Sequence, residues 1–193
     1  MSYARNAAML AGGYGLLTHR AMATLKDVID EITLGARHIR ITCPLGTDID
    51  GSPGQSLTKG NDVVVNRYPM GVPKPVPIND FNGMVKLTHF LTPAGSKVYE
   101  PAYLALPEIV TVQIDGTRMS EITGPGDLVA AFKCHYEKVA TQFGLDALHI
   151  DSWHAGIHPL MGYDMRASAD PERWSQTVFS NPRVLHFHTC GIG

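Results

Sequence analysis

Apolar side chains recur at three- and four-residue steps over residues 20–34, where Met22, Leu25, Val28, Ile29 and Ile32 trace one face of a helix. Thr18 or Thr24 can cap its start, and Gly35 supplies a stop. The period then changes to two. Residues 38–42 alternate as a strand, closed by Cys43-Pro44 and a turn-rich 45–48, in which Asp48 is expected to hold the loop by local hydrogen bonds. The polar, glycine-rich stretch 51–60 reads as a loop, and 62–67, with Val63, Val64 and Val65 together, as a buried strand. Pro69, Pro73, Pro75 and Pro77 then deny the backbone both helix and central strand, which predicts an extended, rigid connection.

Alternation returns over 84–91, 109–114 and 118–122. Asp115-Gly116 between the last two runs predicts a hairpin closed by a type I′ turn, with positive φ at both central residues. Gly124-Pro125-Gly126-Asp127 opens a second helix whose stripe is Leu128, Phe132, Tyr136, Val139 and Phe143, and Gly144 ends it. A strand over 147–153, a loop with Gly156 and Pro159, a short helix over 171–178 and a strand over 183–189 complete the chain. Grouped strands interrupted by helices of unequal length predict an α+β (mixed α/β) fold: a twisted, largely antiparallel sheet with a few packing helices. The final Gly191-Ile192-Gly193, directly after an apolar strand, reads as a truncated end.

Composition narrows the function classes. Sixteen basic against 18 acidic residues leave a net charge of −2 with no basic run, so nucleic acid finds no electrostatic foothold. No run reaches the ~18 apolar residues of a membrane span, and the start lacks the basic-then-apolar order of a signal peptide. Cys43, Cys134 and Cys190 are odd in number and far apart, which argues against a disulfide framework and for a cytoplasmic location.

Histidines carry the candidate chemistry. Of nine, His149, His154, His158, His186 and His188 lie in the last 45 residues. His186 and His188 stand two apart on one predicted strand and therefore on one face, ready to grip a metal ion. Imidazole is the commonest protein metal ligand and suits Zn, Fe, Cu or Ni. His154 or His158 is expected to face the same cavity, since a buried polar group without a partner costs about 1–3 kcal/mol. Asp151, Asp164 and Asp170 are the nearby carboxylates, and Cys190 is a further donor. His89, on the strand over 84–91, is a candidate acid or base projecting into the same cavity. The sequence contains neither a Gly-x-Ser-x-Gly elbow nor a phosphate loop, and Ala11-Gly12-Gly13-Tyr14-Gly15 lacks the spacing of a dinucleotide fingerprint.

Taken in order, several segments look familiar: the helix over 22–34, then Ile39-Arg40-Ile41-Thr42-Cys43-Pro44-Leu45-Gly46-Thr47-Asp48, Tyr68-Pro69-Met70-Gly71, the Asp115-Gly116 hairpin and the Gly156-Ile157-His158-Pro159 turn. In that order they resemble the superfamily containing the aminopeptidase T/S metallopeptidases and 2,5-dihydroxypyridine 5,6-dioxygenase. The aminopeptidases place glutamates on paired metals. Here the Pro-x-Gly-Glu pattern reads Pro69-Met70-Gly71-Val72, and Ser152, Trp153 and His154 stand before Gly156 in place of a glutamate. Phe187-His188-Thr189-Cys190-Gly191 also looks like the dioxygenase branch.

The resemblance implies one Fe(II) on two histidines and a carboxylate, with open positions for O₂ and a small catechol-like ring that is cleaved between adjacent carbons. His188 is the first expected metal ligand and His186 the second, while His154, His158 and His89 are expected in catalytic roles, as substrate contact or general base. It further implies that residues 1–35 are the remnant of an N-terminal α/β domain and 36–193 a metal-binding, catalytic-type domain that ends before a final His-x-Asp pair. The alternatives are a Zn- or Co-dependent aminopeptidase of the same superfamily and a non-catalytic remnant. A homo-oligomer stays open.

Overall fold

The computed structural model describes residues 7–53, 73–93 and 99–190. Its elements are α1 (Ala7–Ala11), α2 (Gly13–Leu16), α3 (His19–Gly35), β1 (Ile39–Thr42), β2 (Asp48–Gly51), β3 (Val76–Pro77), β4 (Asn82–Leu91), β5 (Leu104–Asp115), β6 (Arg118–Thr123), α4 (Gly126–Phe143), β7 (Ile150–Ala155), α5 (Pro171–Val178) and β8 (Leu185–Thr189). Two antiparallel sheets with helices make the fold the α+β class expected from the sequence, with the strands split between a five-stranded and a three-stranded sheet. The strand expected over 62–67 and Pro69 of the extended connection lie outside the described residues.

The chain divides into two compact units. One comprises Ala36–Gly54, Pro77–Ser152 and Phe187–Gly193. It contains the five-stranded sheet, in the order β1-β2-β4-β5-β6. Along β5, Leu106, Val110, Val112 and Ile114 alternate inward and are buried. Helix α4 covers β5 and β6 with Phe132, Tyr136, Val139 and Ala140. Each such aliphatic or aromatic side chain contributes roughly 1.5–3 kcal/mol on burial. Gly144 caps α4 at φ 64°, its N–H bonded to the Ala140 carbonyl, as the sequence predicts.

The hairpin forms, with Thr111 to Asp115 paired to Thr123 to Arg118. Its turn differs from the expected one. Asp115 pairs with Arg118, so the loop is Gly116-Thr117, and of its two residues Gly116 alone has positive φ. That is the φ pattern of a type II′ turn, which needs glycine only at the first central position. The turn expected at 45–48 is corrected at its end: Asp48 begins strand β2, and its carboxylate takes two hydrogen bonds from the Arg40 guanidinium at 2.8 and 2.6 Å across the β1–β2 pair. Ile49 is fully buried there, a single apolar residue too isolated to show a period.

The other unit comprises Met1–Gly35, Gln55–Val76 and Trp153–His186. Thr18 caps α3 by accepting from the Ala21 N–H at 3.2 Å. Of the apolar stripe on α3, Met22 is buried while Val28 and Ile32 are exposed among the described residues. Asp30 anchors the helix instead, accepting from Lys26 Nζ at 2.6 Å and from the Lys74 N–H at 2.7 Å. The three-stranded sheet has the order β3-β7-β8.

Tyr136 gives this architecture a measurable alkaline limit. Its phenol is buried and shares a 3.0 Å hydrogen bond with Thr189 Oγ1. Burial, foremost, pushes the phenol well above its ordinary value of 10. The unfolded chain therefore ionises first, and stability falls as pH rises above 10 toward the folded value. Tyr136→Phe is expected to lose about 1 kcal/mol at pH 7, from the hydrogen bond. Its urea midpoint should then decline less steeply than wild type between pH 9.5 and 11.

Candidate metal centre

The sheet that carries β7 and β8 gathers three of the histidines. Side chains two apart on a strand share a face, which pairs Ser152 with His154 on β7 and His186 with His188 on β8. One ring nitrogen from each of His154, His186 and His188 lies within 4.8 Å of the others. A tetrahedral ion with bonds of ~2.0–2.1 Å separates its nitrogen ligands by ~3.3 Å, so modest side-chain rotation closes the group around one ion.

Local packing orients these rings. His154 and His186 lie with ring centroids 4.0 Å apart. Phe179 packs against both, at 4.5 Å from His186 and edge-on at 5.3 Å from His154. Phe179 is placed by α5, whose first turn is fixed by Pro171 and by Asp170, which accepts from the Arg173 N–H at 2.9 Å. On the other strand, Ser152 Oγ lies 3.0 Å from His188 Nδ1. The end of β8 is held by the Tyr136–Thr189 bond and by the Cys190 N–H, which donates to the His149 carbonyl at 3.0 Å.

Burial, above all, pushes the His188 imidazole below its ordinary value, with Asp151 pulling the other way. Burial thus favours the neutral ring, the form that can ligate a metal. The donor set fits a first-row divalent ion: three imidazoles on adjacent strands of one sheet.

His186 and His188 come together with His154, as the strand period predicts. His154, expected in a catalytic role, lies instead among the candidate ligands. His158 stays outside the group; it is fully buried, with its N–H donating to the Ser180 carbonyl at 2.8 Å. His89 is exposed on β4 at a bulge, with φ 70°, and is not one of the three.

The expected carboxylate is absent from the group among the described residues. Asp170 is occupied as the cap of α5, Asp164 is exposed, and Asp151 lies 3.2 Å from His149 Nε2. Asp151 also alternates to the face of β7 opposite Ser152 and His154, which explains its exclusion. Cys190, the further donor, lies outside the group, and Cys43, Cys134 and Cys190 form no disulfide among the described residues. Phe179 and Ser152 belong to residue types that carry no metal-ligand signal in the sequence. No helix among the described residues is long and apolar enough to cross a membrane. Comparison of the chain with protein-family models, curated proteins and solved structures finds no match.

Proposed function

We propose that the chain holds one divalent metal ion on His154, His186 and His188 and acts as an Fe(II)-dependent dioxygenase that opens a dihydroxypyridine-like ring. The observation that carries this reading is the three-imidazole group on β7 and β8. Bound there, Fe(II) supplies open coordination positions for a ring oxygen and for O₂. The three neutral imidazoles leave the full charge of the ion uncompensated, which favours an ionised ring hydroxyl as the incoming ligand. Phe179 restricts rotation of the His154 and His186 rings and keeps the donor nitrogens convergent.

The order of segments along the chain supports the superfamily, and a donor group without the glutamates that aminopeptidases place on paired metals supports its dioxygenase branch. A second reading has a specific observation behind it. Three histidines with an open position also make a catalytic zinc site, so Zn- or Co-dependent peptide hydrolysis is the alternative. Anaerobic loading of the chain with Fe(II), followed by metal analysis and an oxygen electrode, separates them. The expected result is one iron per chain and O₂ uptake on addition of 2,5-dihydroxypyridine. Amide hydrolysis with Zn or Co, without O₂ uptake under iron, would transfer the assignment to the second reading. Failure to retain any of the three metals would overturn both.

A further inference from the structure

We propose that Ser152 is a positioning residue that accepts a hydrogen bond from His188 Nδ1–H and thereby makes Nε2 the nitrogen His188 presents to the metal. The inference rests on the metal-centre reading above and deepens it. Ser152 is nine-tenths buried on β7 and shares its face with His154, and its hydroxyl oxygen is 3.0 Å from His188 Nδ1. A neutral imidazole carries one N–H, and the partner of one nitrogen decides which nitrogen bears it.

The alternative polarity would defeat ligation. If Ser152 donated to Nδ1, the proton would sit on Nε2, and that nitrogen would have no lone pair to offer an ion shared with His154 and His186. With Ser152 accepting, Nε2 is the donor atom, and the two strands fix the ring plane before any ion arrives. Metal-bound histidines nearly always have their second nitrogen engaged in this way, and loss of such a partner lowers affinity by about 10–100-fold. A serine serves here because a hydroxyl accepts without adding charge, so the site keeps the full charge of its ion. A carboxylate at this position would bind the same N–H and neutralise part of that charge.

The test combines a metal-free readout with a metal-bound one. In ¹⁵N-labelled protein without metal, the His188 ring resonances, assigned by their loss in His188→Ala, are expected to report the Nδ1–H tautomer. Ser152→Ala should shift the ring toward the Nε2–H tautomer, and Ser152→Thr, which restores the hydroxyl, should return it. With Co(II) as the probe, Ser152→Ala is expected to bind about 10–100-fold more weakly with an altered visible spectrum, and Ser152→Thr to recover most of both. A His188 that is already Nε2–H in wild type, or tautomer and Co(II) affinity unchanged in Ser152→Ala, would overturn the role of Ser152 while leaving the metal centre standing. Wild-type protein that binds no Co(II) would overturn the centre itself, whatever the tautomer.

Discussion

His186→Ala and His188→Ala are each expected to lower the affinity for a divalent first-row metal by more than ~100-fold, because removing even an outer-sphere partner of a metal ligand costs 10–100-fold. Each substitution leaves two imidazoles, and water replaces the lost nitrogen with a weaker bond. The two variants differ in their effect on folding. His186 packs tilted against His154 and Phe179, at 4.0 and 4.5 Å between ring centroids, so its truncation also leaves a void. A loss of about 2–4 kcal/mol is expected, in the range of other large-to-small changes in packed sites. His188 is only half-buried, and its truncation should lower affinity with a smaller change in the unfolding midpoint. His89→Ala is the control for binding: its side chain is exposed on β4 outside the three-histidine group, and metal affinity should stay within experimental error of wild type. Calorimetric titration with Zn(II) beside urea unfolding separates these outcomes. Wild-type affinity in either His186→Ala or His188→Ala would show that the three-histidine group is not the metal site.

Much of this centre was legible in the sequence because strands have a period of two. His186 and His188 had to share a face once 183–189 was read as a strand, and His154 lay on a second strand close in sequence. Asp151 is near the histidines in sequence, but the same period of two turns it to the opposite face of β7. Ser152 was hidden because a hydroxyl has no signature of its own; only the pairing of two strands 36 residues apart brings it to His188. Phe179 escaped notice because it follows a helix whose polar composition gives no hint of what its end touches.

In the fold, long alternating runs such as β4 and β5 and the stripe of α4 declared themselves. Strand β2 did not, since Asp48-Ile49-Asp50-Gly51 combines a single buried apolar residue with turn-forming types. Its identity comes from partners on either side, β1 and β4, and not from its own propensity.

Gly156→Ala is expected to be the most destabilising single-methyl change near the centre, at about 3 kcal/mol or more. Gly156 follows β7 directly, and a Cβ there would overlap the carbonyl group of Ser180 and the backbone nitrogen of Asn181. Both are main-chain atoms, so no side-chain rotation can relieve the overlap, and the 179–181 segment must move away. That segment carries three constraints. Ser180 accepts from the His158 N–H at 2.8 Å, Asn181 donates from Nδ2 to the Met161 carbonyl at 2.6 Å, and Phe179 orients His154 and His186. Displacement should therefore weaken metal binding as well as folding, although Gly156 touches no ligand. Gly162→Ala is the matched control in the same loop region: nothing lies within 4 Å of its added Cβ, so its midpoint should stay within ~0.5 kcal/mol of wild type. The two variants add the same methyl group to the same residue type, so the difference between their urea midpoints isolates the close approach at Ser180. Equal midpoints would mean that the chain after β7 and the chain after α5 do not run in contact, and Phe179 would lose its assigned part in orienting the two rings.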